Sequence, residues 1–223
     1  MVVQTQAVTQ TKKDILALIR PDMARLNEVV RTTLHSEVPL VNQVAEYLIN
    51  AGGKRLRPAI HLLLTRALQK TCPDTAYTLA AVVEFIHTST LLHDDVVDES
   101  DLRRGRQTAN ALFGNAASVL VGDFLYSRSF QMMVSVQNMR VMEILADATN
   151  VIAEGEVLQL LNVHDPDVTE ARYMQVIHYK TARLFEASAQ LSAVMSACTP
   201  EQENACAAYG RHLGAAFQLA DDI

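Results

Sequence analysis

Apolar side chains recur along most of the chain at the spacing of amphipathic helices, without the sustained alternation of a half-buried strand. In the first such stretch, the apolar positions are Leu26, Val29, Val30, Leu34, Val41, Val44 and Leu48. Glycine and proline punctuate the sequence at Pro21, Pro39, Gly52-Gly53, Pro58, Pro73, Gly105, Pro166 and Pro200. The pattern predicts helices over Leu26–Asn50, Asp74–Asp98, Asn115–Val136, Met139–Leu161, Thr169–Ala197 and Pro200–Ile223. We therefore expect residues 1–223 to form a single all-α domain without a linker or repeat.

The composition is that of a folded protein, because 49% of the residues are hydrophobic and only 20% are charged. A formal net charge of −6 argues against nucleic acid or an anionic membrane as the main partner. The three cysteines, an odd number without metal-binding spacing, disfavour a disulfide framework and favour a reducing cytoplasm. Met1–Gln10 does not resemble a signal peptide, and charged residues interrupt every long apolar window. We expect a cytoplasmic protein without stable membrane insertion.

A cluster of aspartates ends the predicted helix Asp74–Asp98, in the sequence HDDVVD at residues 93–98. At helical spacing, Asp94 and Asp98 lie about 40° apart around the axis and about 6 Å apart along it. Carboxylates so close to a helix C-terminus repel one another and oppose the helix dipole, so a bound cation stabilises them. Such oxygen ligands suit Mg²⁺, which also binds substrate phosphates. Taken alone, the motif fits a solvated acidic helix end at least as well.

The same face of this helix continues toward its N-terminus with Thr90, His87 and Val83. It passes from apolar through polar to anionic, which is the expected wall of a deep pocket with a charged mouth. A single histidine in such surroundings is usually a hydrogen-bonded core residue, and we expect this of His93. For His87, a core role and a ligand-binding role are equally compatible with the sequence.

Cations cluster on either side of the acidic helix in the sequence. GGKRLRP at residues 52–58 places three of them on a glycine turn before a helix, and LRRGR at residues 102–106 follows the aspartates directly. Such turns expose N–H groups to phosphate, and arginine pairs with phosphate through two hydrogen bonds. Each segment alone is also typical of a solvated surface. Lys180 lies within an apolar helix, where an ammonium group requires an anionic partner.

A second aspartate pair, Asp221 and Asp222, ends the chain's last predicted helix. Two carboxylate clusters and separate cation clusters on an apolar scaffold indicate a metal–diphosphate site beside an apolar tunnel. The sequence lacks the glycine motifs of P-loop proteins and kinases, which argues against phosphoryl transfer.

These motifs, in this order and approximate spacing, resemble the trans-isoprenyl diphosphate synthase (polyprenyl synthetase) family. The resemblance rests on GGKRLRP, DDVVD with the arginines after it, Lys180-Thr181 and FQLADD at residues 217–222. It extends from about Leu40 to Ile223. The segment that begins at HDDVVD, together with VIAEGEVLQL at residues 151–160 and KTARLFEAS at residues 180–188, is particularly similar to bacterial members that form octaprenyl chains.

The resemblance implies a helical bundle around a central cavity and a Mg²⁺-dependent condensation of isopentenyl diphosphate with an allylic diphosphate, expected to be farnesyl diphosphate. The expected product is an all-trans polyprenyl diphosphate, octaprenyl in length, for ubiquinone side chains. Carried over by motif, the catalytic residues are Asp94, Asp95, Asp98 and Lys180, and the metal ligands are Asp94, Asp98, Asp221 and Asp222. The residues expected to contact the allylic diphosphate are Arg103, Lys180, Thr181 and Gln218. Those expected to contact isopentenyl diphosphate are Lys54, Arg57, His87 and Arg104. The family also implies a homodimer, with which the apolar helix Asn115–Val136 agrees.

Product length in the family depends on side chains just before the first aspartate motif. Short-chain members carry bulky aromatic residues there, whereas this sequence has Ser89 and Thr90. We therefore expect an open tunnel and a long product. Met132 and Met133 on a facing helix are candidates for the tunnel floor, and ordinary core packing is an equal alternative.

The family continues beyond the second aspartate motif, within which this chain reaches Ile223. We expect the chain to lack roughly the last third of the family domain and to have weak or no turnover by itself. Alternative functions are a synthase of shorter or longer products and a noncatalytic subunit, the latter disfavoured by the intact DDVVD. A terpene cyclase or head-to-head synthase is disfavoured by GGKRLRP and Arg104.

Overall fold

A computed structural model describes residues 14–103, 105–163 and 165–223, with the backbone alone at residues 50 and 51. Its helices are α1 (Arg20–Leu34), α2 (Pro39–Ala51), α3 (Leu56–Gln69), α4 (Asp74–Val97), α5 (Ala109–Phe113), α6 (Asn115–Ser135), α7 (Met139–Asn162), α8 (Glu170–Val176), α9 (Arg183–Met195) and α10 (Pro200–Asp221). Two short strands, β1 (Leu102–Arg103) and β2 (Arg106–Gln107), precede α5, and a π-helical segment (Ile177–Ala182) joins α8 to α9. The all-α class is confirmed. The predictions for Met1–Gln10 and Arg104 concern residues outside this description.

The prediction of one helix over Leu26–Asn50 is wrong. Helix α1 ends at Leu34, and α2 begins at Pro39. Proline lacks the N–H that a helix interior needs, but it suits the first helical turn, and it holds the residue before it extended. Val38 has that extended backbone, with φ −92° and ψ 113°. A proline inside the apolar pattern therefore marks a helix start.

The predicted helix Thr169–Ala197 is helical along most of its length but changes its geometry in the middle. Thr169 caps its start, since its side chain accepts a hydrogen bond from the N–H of Arg172. The π-helical segment then interrupts the regular α-helix around Lys180 and Thr181. Widened turns of this kind are frequent at functional sites. The apolar spacing alone did not indicate the change.

Helix α4 is the central helix, buried around most of its circumference. It packs against α1, α3, α6 and α9. Its fully or almost fully buried apolar side chains include Leu79, Val82, Val83, Phe85, Ile86 and Leu92. A helix that is apolar on most sides is typical of a domain core. None of the helices described is both long and apolar enough to cross a membrane.

Helix α10 approaches α9 at two glycines. A Cβ added at Gly210 would lie 2.5 Å from the Phe185 carbonyl oxygen, and one at Gly214 would lie 2.7 Å from Ala182 Cα. Both positions therefore require a residue without a side chain. This contact places the C-terminal end of α10 beside the π-helical segment, and it brings two of the predicted motifs together.

The short hairpin follows α4 directly. Strands β1 and β2 are antiparallel, with Leu102 opposite Gln107 and Arg103 opposite Arg106. Thr108 then caps α5 by accepting a hydrogen bond from the N–H of Ala111. The sequence analysis did not predict this hairpin, which is too short to show an alternating pattern.

Candidate active site

A cavity of about 910 Å³ lies between the C-terminal ends of α4 and α10, the start of α3, and the π-helical segment. Its charged and histidine lining residues are Lys54, Arg55, Arg57, Glu84, His87, Asp94, Asp95, Asp98, Arg103, Arg106, Glu156, Lys180 and Asp221. Its apolar and aromatic lining includes Tyr47, Leu48, Leu56, Leu91, Leu92, Ala109, Phe185 and Phe217. Thr181 and Gln218 line it as well. The cavity therefore contains every described residue of the predicted site except Asp222.

The three aspartates at the end of α4 differ in burial. Asp94 and Asp95 are 8% and 4% exposed, respectively, whereas Asp98 is an exposed residue at the C-cap. The N–H of Asp98 donates to the carbonyl oxygen of Asp94 at 2.8 Å, which closes the last helical turn. All three line the same cavity, as the helical spacing predicted for Asp94 and Asp98.

Asp95 connects the hairpin to α4. Arg103 donates from both Nε and Nη2 to Asp95 Oδ1, each at 2.8 Å. The carbonyl oxygen of Asp95 also accepts from the N–H of Ser100 at 2.9 Å and from Asn110 Nδ2 at 3.2 Å. Charge-assisted contacts of this kind are strong, so Asp95 holds Arg103 at the rim of the cavity.

Lys180 lies between carboxylates from two other helices. Its Nζ is 2.6 Å from Glu156 Oε2 on α7 and 3.2 Å from Asp94 Oδ2 on α4. The Lys180 side chain is 23% exposed, and that of Asp94 is 11% exposed. The expectation of an anionic partner for Lys180 is therefore confirmed, and the structure supplies two.

The protonation of Glu156 and of Lys180 is perturbed by their surroundings. Burial is the main reason that the pKa of Glu156 is raised, to about 7, and the charge of Asp94 adds to the effect while Lys180 opposes it. Burial by itself lowers the pKa of Lys180. The hydrogen bond to Glu156 and the charge of Asp94 outweigh burial, so the pKa of Lys180 is raised. The ammonium form of Lys180 is therefore stabilised.

The cations of GGKRLRP do not act as one patch, because each has a different environment. Arg57 is half-buried, and its guanidinium stacks on Phe185, with Cζ 4.5 Å from the ring centroid. Burial lowers the pKa of Arg57 to about 10, and Glu84 partly compensates. Among the described residues, Arg57 Nε has no hydrogen-bond partner. A buried donor without a partner is a natural contact for an anionic ligand.

Lys54 lies nearer the surface than Arg57, at the end of α10. Its Nζ is 3.2 Å from Asp221 Oδ1 and 4.9 Å from the centroid of the Phe217 ring. Phe217 in turn packs against Phe185, with centroids 5.5 Å apart. Lys54 and Arg57 therefore each lie over one ring of the Phe217–Phe185 pair, in cation–π contacts beside one another. Arg55, in contrast, has a left-handed backbone and pairs with Glu84 at 3.9 Å.

Thr181 and Gln218 meet across the contact between the π-helical segment and α10. Thr181 Oγ1 donates to Gln218 Oε1 at 2.9 Å, and Gln218 Nε2 donates to Asp222 Oδ1 at 2.8 Å. Asp222 also accepts from the Tyr173 hydroxyl at 2.5 Å. Asp222 is therefore the one predicted metal ligand that does not line the cavity. It follows the last turn of α10, and its carboxylate accepts hydrogen bonds from Tyr173 on α8 and Gln218 on α10 instead.

Among the described residues, three further predictions have clear outcomes. His87 and Thr90 line the cavity, and Val83 is buried in the core. His93 is wrong as a core histidine: its Nε2 lies 3.2 Å from the Val119 carbonyl oxygen, but its side chain is 38% exposed. This ring faces α6 at the surface rather than the interior.

Met132 and Met133 do not line this cavity. Both are buried in the main hydrophobic core, and neither is among the described residues that line the cavity. These positions favour the alternative of ordinary core packing, and a role of the two methionines as the tunnel floor stays a prediction. Apolar residues of α2, α4 and α5 line the cavity instead.

Oxygen atoms dominate the groups that could hold a divalent cation. In the ranges described, no three His, Cys, Asp or Glu side chains lie close enough together to hold a metal ion by themselves. Mg²⁺ commonly keeps several waters and binds through one or two carboxylates together with substrate phosphates. Asp94, Asp98 and Asp221 on the cavity wall are a donor set of that type.

Sequence reasoning missed Glu156. Its only signal was the sequence Glu154-Gly155-Glu156, an acidic pair around a glycine within an apolar stretch. The glycine has a structural cause, since a Cβ at Gly155 would lie 2.8 Å from Tyr179 Cβ and 2.9 Å from Lys180 N. The close approach of these two backbones brings Glu156 to Lys180.

The chain is similar to known proteins along most of its length. The family model for polyprenyl synthetase matches residues 38–223. The chain is 58% identical over 206 residues to octaprenyl diphosphate synthase of Escherichia coli, covering 92% of this chain and 64% of that protein. The chain thus spans less than two thirds of the length of this relative.

Solved structures agree in both fold and sequence. A decaprenyl diphosphate synthase from Rhodobacter capsulatus superposes with a TM-score of 0.91 at 50% identity, covering 94% of this chain and 65% of that one. A polyprenyl synthase from Caulobacter crescentus, complexed with calcium and isoprenyl diphosphate, superposes with a TM-score of 0.89 at 48% identity, covering 93% and 63%. The chain belongs to the polyprenyl synthetase family.

Proposed function

We propose that the protein of which this chain forms part is a Mg²⁺-dependent prenyltransferase. It condenses isopentenyl diphosphate repeatedly onto an allylic diphosphate, farnesyl diphosphate as the starter, and forms an all-trans octaprenyl diphosphate for quinone side chains. One observation carries the proposal: a single cavity combines a carboxylate cluster, two separate sets of cations and an apolar wall. The octaprenyl length is supported by the 58% identity to the E. coli octaprenyl synthase.

The allylic diphosphate binds at the aspartate end of α4. Lys180, Thr181 and Gln218 donate to its oxygens, and Arg103 approaches from the rim. Ionisation breaks the bond between the allylic carbon and the diphosphate oxygen, and the positive charges stabilise the negative charge that develops there. Asp94, Asp98 and Asp221 would hold Mg²⁺, which when bound adds positive charge at the same diphosphate.

Isopentenyl diphosphate binds at the second set of cations. Arg57 and Lys54 hold its diphosphate, Arg57 through the buried Nε that has no partner among the described residues. His87 and Arg104 complete this subsite by family resemblance. The double bond of isopentenyl diphosphate attacks the allylic cation to form a carbon–carbon bond, and the released diphosphate accepts the proton that is lost.

The growing chain occupies the apolar part of the cavity. Leu91, Leu92 and Leu48 line it, and Thr90 lies one helical turn from Asp94 on the same wall. Apolar walls exclude water, which would otherwise quench the cation. A small residue at position 90 leaves room for a tail that extends past α4, as a long product requires.

We also propose that the protein is a cytoplasmic homodimer and that α6 contributes to its interface. Three large apolar residues of α6 are exposed, Val119 at 36%, Leu120 at 66% and Val134 at 62%, and this supports an interface on that helix. Sedimentation analysis of the chain and of Leu120→Asp should give a dimer and a monomer, respectively.

A turnover assay tests the proposed reaction. The full-length protein and the chain by itself are each incubated with farnesyl diphosphate, labelled isopentenyl diphosphate and Mg²⁺, and the products are separated by chain length. The protein should give octaprenyl diphosphate in its full-length form, with little or no turnover by the chain itself. Products confined to a single condensation, or incorporation that is insensitive to Asp94→Ala, would contradict the proposal.

A further inference from the structure

Lys180 is shared between two carboxylates, only one of which belongs to the predicted metal site. The shorter contact is to Glu156 at 2.6 Å, and the longer is to Asp94 at 3.2 Å. The Glu156 side chain is 29% exposed, so both partners and the lysine are largely removed from solvent. A lysine ammonium has three N–H donors, so one remains for a third partner.

The backbone geometry holds Glu156 in place independently of Asp94. Gly155 permits α7 to touch the π-helical segment at Tyr179 and Lys180, as the 2.8 Å and 2.9 Å distances from its added Cβ show. Glu156 is the next residue on α7, and its reach to Lys180 is therefore determined by a backbone contact. Asp94 reaches Lys180 from a different helix, near the C-terminal end of α4.

When a metal and a diphosphate bind, Asp94 has a competing partner. The oxygen that now faces Lys180 would be drawn to the cation, and the half-buried ammonium would lose one of its two counter-charges. Leaving such a group without an anion is costly. Glu156 contacts Lys180 from α7 rather than from α4, and it would keep this contact when Asp94 binds the metal.

We propose that Glu156 is a positioning residue that keeps Lys180 directed at the diphosphate while Asp94 binds the metal. This inference rests on the proposed function, because it takes Lys180 as a diphosphate ligand. It assigns no contact between Glu156 and the substrate. Glu156 acts through the placement of the Lys180 Nζ, to which both its hydrogen-bonding oxygen and its negative charge contribute.

Binding of inorganic pyrophosphate with Mg²⁺, measured by isothermal titration calorimetry, tests this role without turnover. Glu156→Ala should weaken pyrophosphate binding about tenfold, the value of one charge-assisted hydrogen bond partly exposed to solvent. Glu156→Gln keeps the acceptor oxygen but removes the charge, so it should restore part of the affinity and bind between the unmutated chain and Glu156→Ala. Glu154→Gln is the matched control, because it removes an exposed negative charge two residues away on α7, and it should leave the affinity unchanged.

The sign of the effect separates positioning from simple electrostatics. If Glu156 only repelled the anion, Glu156→Ala would tighten pyrophosphate binding, and this result would overturn the inference. In a Lys180→Ala background, Glu156→Ala should have no further effect. A full effect in that background would overturn the inference in favour of a direct metal contact by Glu156.

The proposed function fails in a different way. If the unmutated chain does not bind pyrophosphate with Mg²⁺, or if Lys180→Ala binds it as tightly as the unmutated chain, the diphosphate site itself is contradicted. If Lys180→Ala weakens binding while Glu156→Ala does not, the site stands and only the positioning role of Glu156 is lost.

Discussion

Replacing Gly155 with alanine should destabilise the contact that brings Glu156 to Lys180. The added methyl group would lie 2.8 Å from Tyr179 Cβ, 2.9 Å from Lys180 N and 3.1 Å from the Tyr179 carbonyl carbon. Carbon atoms in ordinary contact are about 3.5 Å apart or more. Two of these three neighbours are backbone atoms that cannot rotate away, so α7 and the π-helical segment must separate by roughly 0.7 Å.

Two opposing contributions determine the size of the effect. Overpacking a close contact costs about 1–3 kcal/mol. Alanine stabilises a helix by about 1 kcal/mol relative to glycine, which offsets part of that cost. The net loss in the free energy of unfolding should be about 1 kcal/mol, from the midpoint of the first range less the second.

A matched variant on the same helix isolates the steric part. Ala153→Gly lies two residues away at an exposed position, so it measures the helix propensity alone. Urea unfolding followed by far-ultraviolet circular dichroism gives both values. The destabilisations by Gly155→Ala and Ala153→Gly should add to about 1–3 kcal/mol. A sum near zero would show that the backbones are not in contact and would remove the argument for how Glu156 is placed.

Three other predictions follow from the same geometry. Thr90→Tyr should shorten the product by several isoprene units, because the larger side chain narrows the cavity about one helical turn from Asp94. Chromatography of the dephosphorylated products of the full-length protein measures the chain length. Products of unchanged length would contradict the proposed tunnel. Asp94→Asn should weaken Mg²⁺-dependent pyrophosphate binding at least about tenfold, measured by calorimetry, with Asp147→Asn on α7 as a control that leaves binding unchanged. Burial lowers the pKa of His61 to about 4 from 6.5, so only the unfolded chain gains a proton between those values. Through His61 alone, the free energy of unfolding should therefore fall by about 1.4 kcal/mol per pH unit between about pH 6.5 and pH 4. The raised pKa of Glu156 acts in the opposite direction. The slope of the free energy of unfolding in urea against pH should therefore differ between the unmutated chain and His61→Gln, and equal slopes would contradict this account.

Much of the fold was predictable because local signals and tertiary packing agree. Helix α4 is apolar around most of its circumference and begins after Pro73, so its existence and bounds follow from pattern and punctuation. The break between α1 and α2 was equally visible at Pro39, and the prediction failed there by letting apolar spacing outweigh a proline. The π-helical segment has no such signal, because its altered hydrogen bonding leaves the apolar spacing almost unchanged.

The residue types of the site were predictable, but their pairings were not. The spacing of Lys54 and Arg57 puts them on one side of the turn, and the structure places both on the Phe185–Phe217 pair. Arg55 lies between them in sequence yet turns toward Glu84, because its backbone is left-handed with φ 44°. A sequence pattern carries no information on that angle.

Lys180 illustrates the same limit at the centre of the site. Burial requires an anion beside it, which is a statement about solvation and needs no tertiary structure. Which anion is chosen depends on how closely two helices approach, and here a single glycine sets that distance. Asp94 belonged to a visible cluster, whereas Glu156 was one acidic residue on a long helix. Glu156 reaches Lys180 because Gly155 lets the two backbones approach closely. In that segment, the glycine was therefore the residue that could have indicated the contact between Glu156 and Lys180.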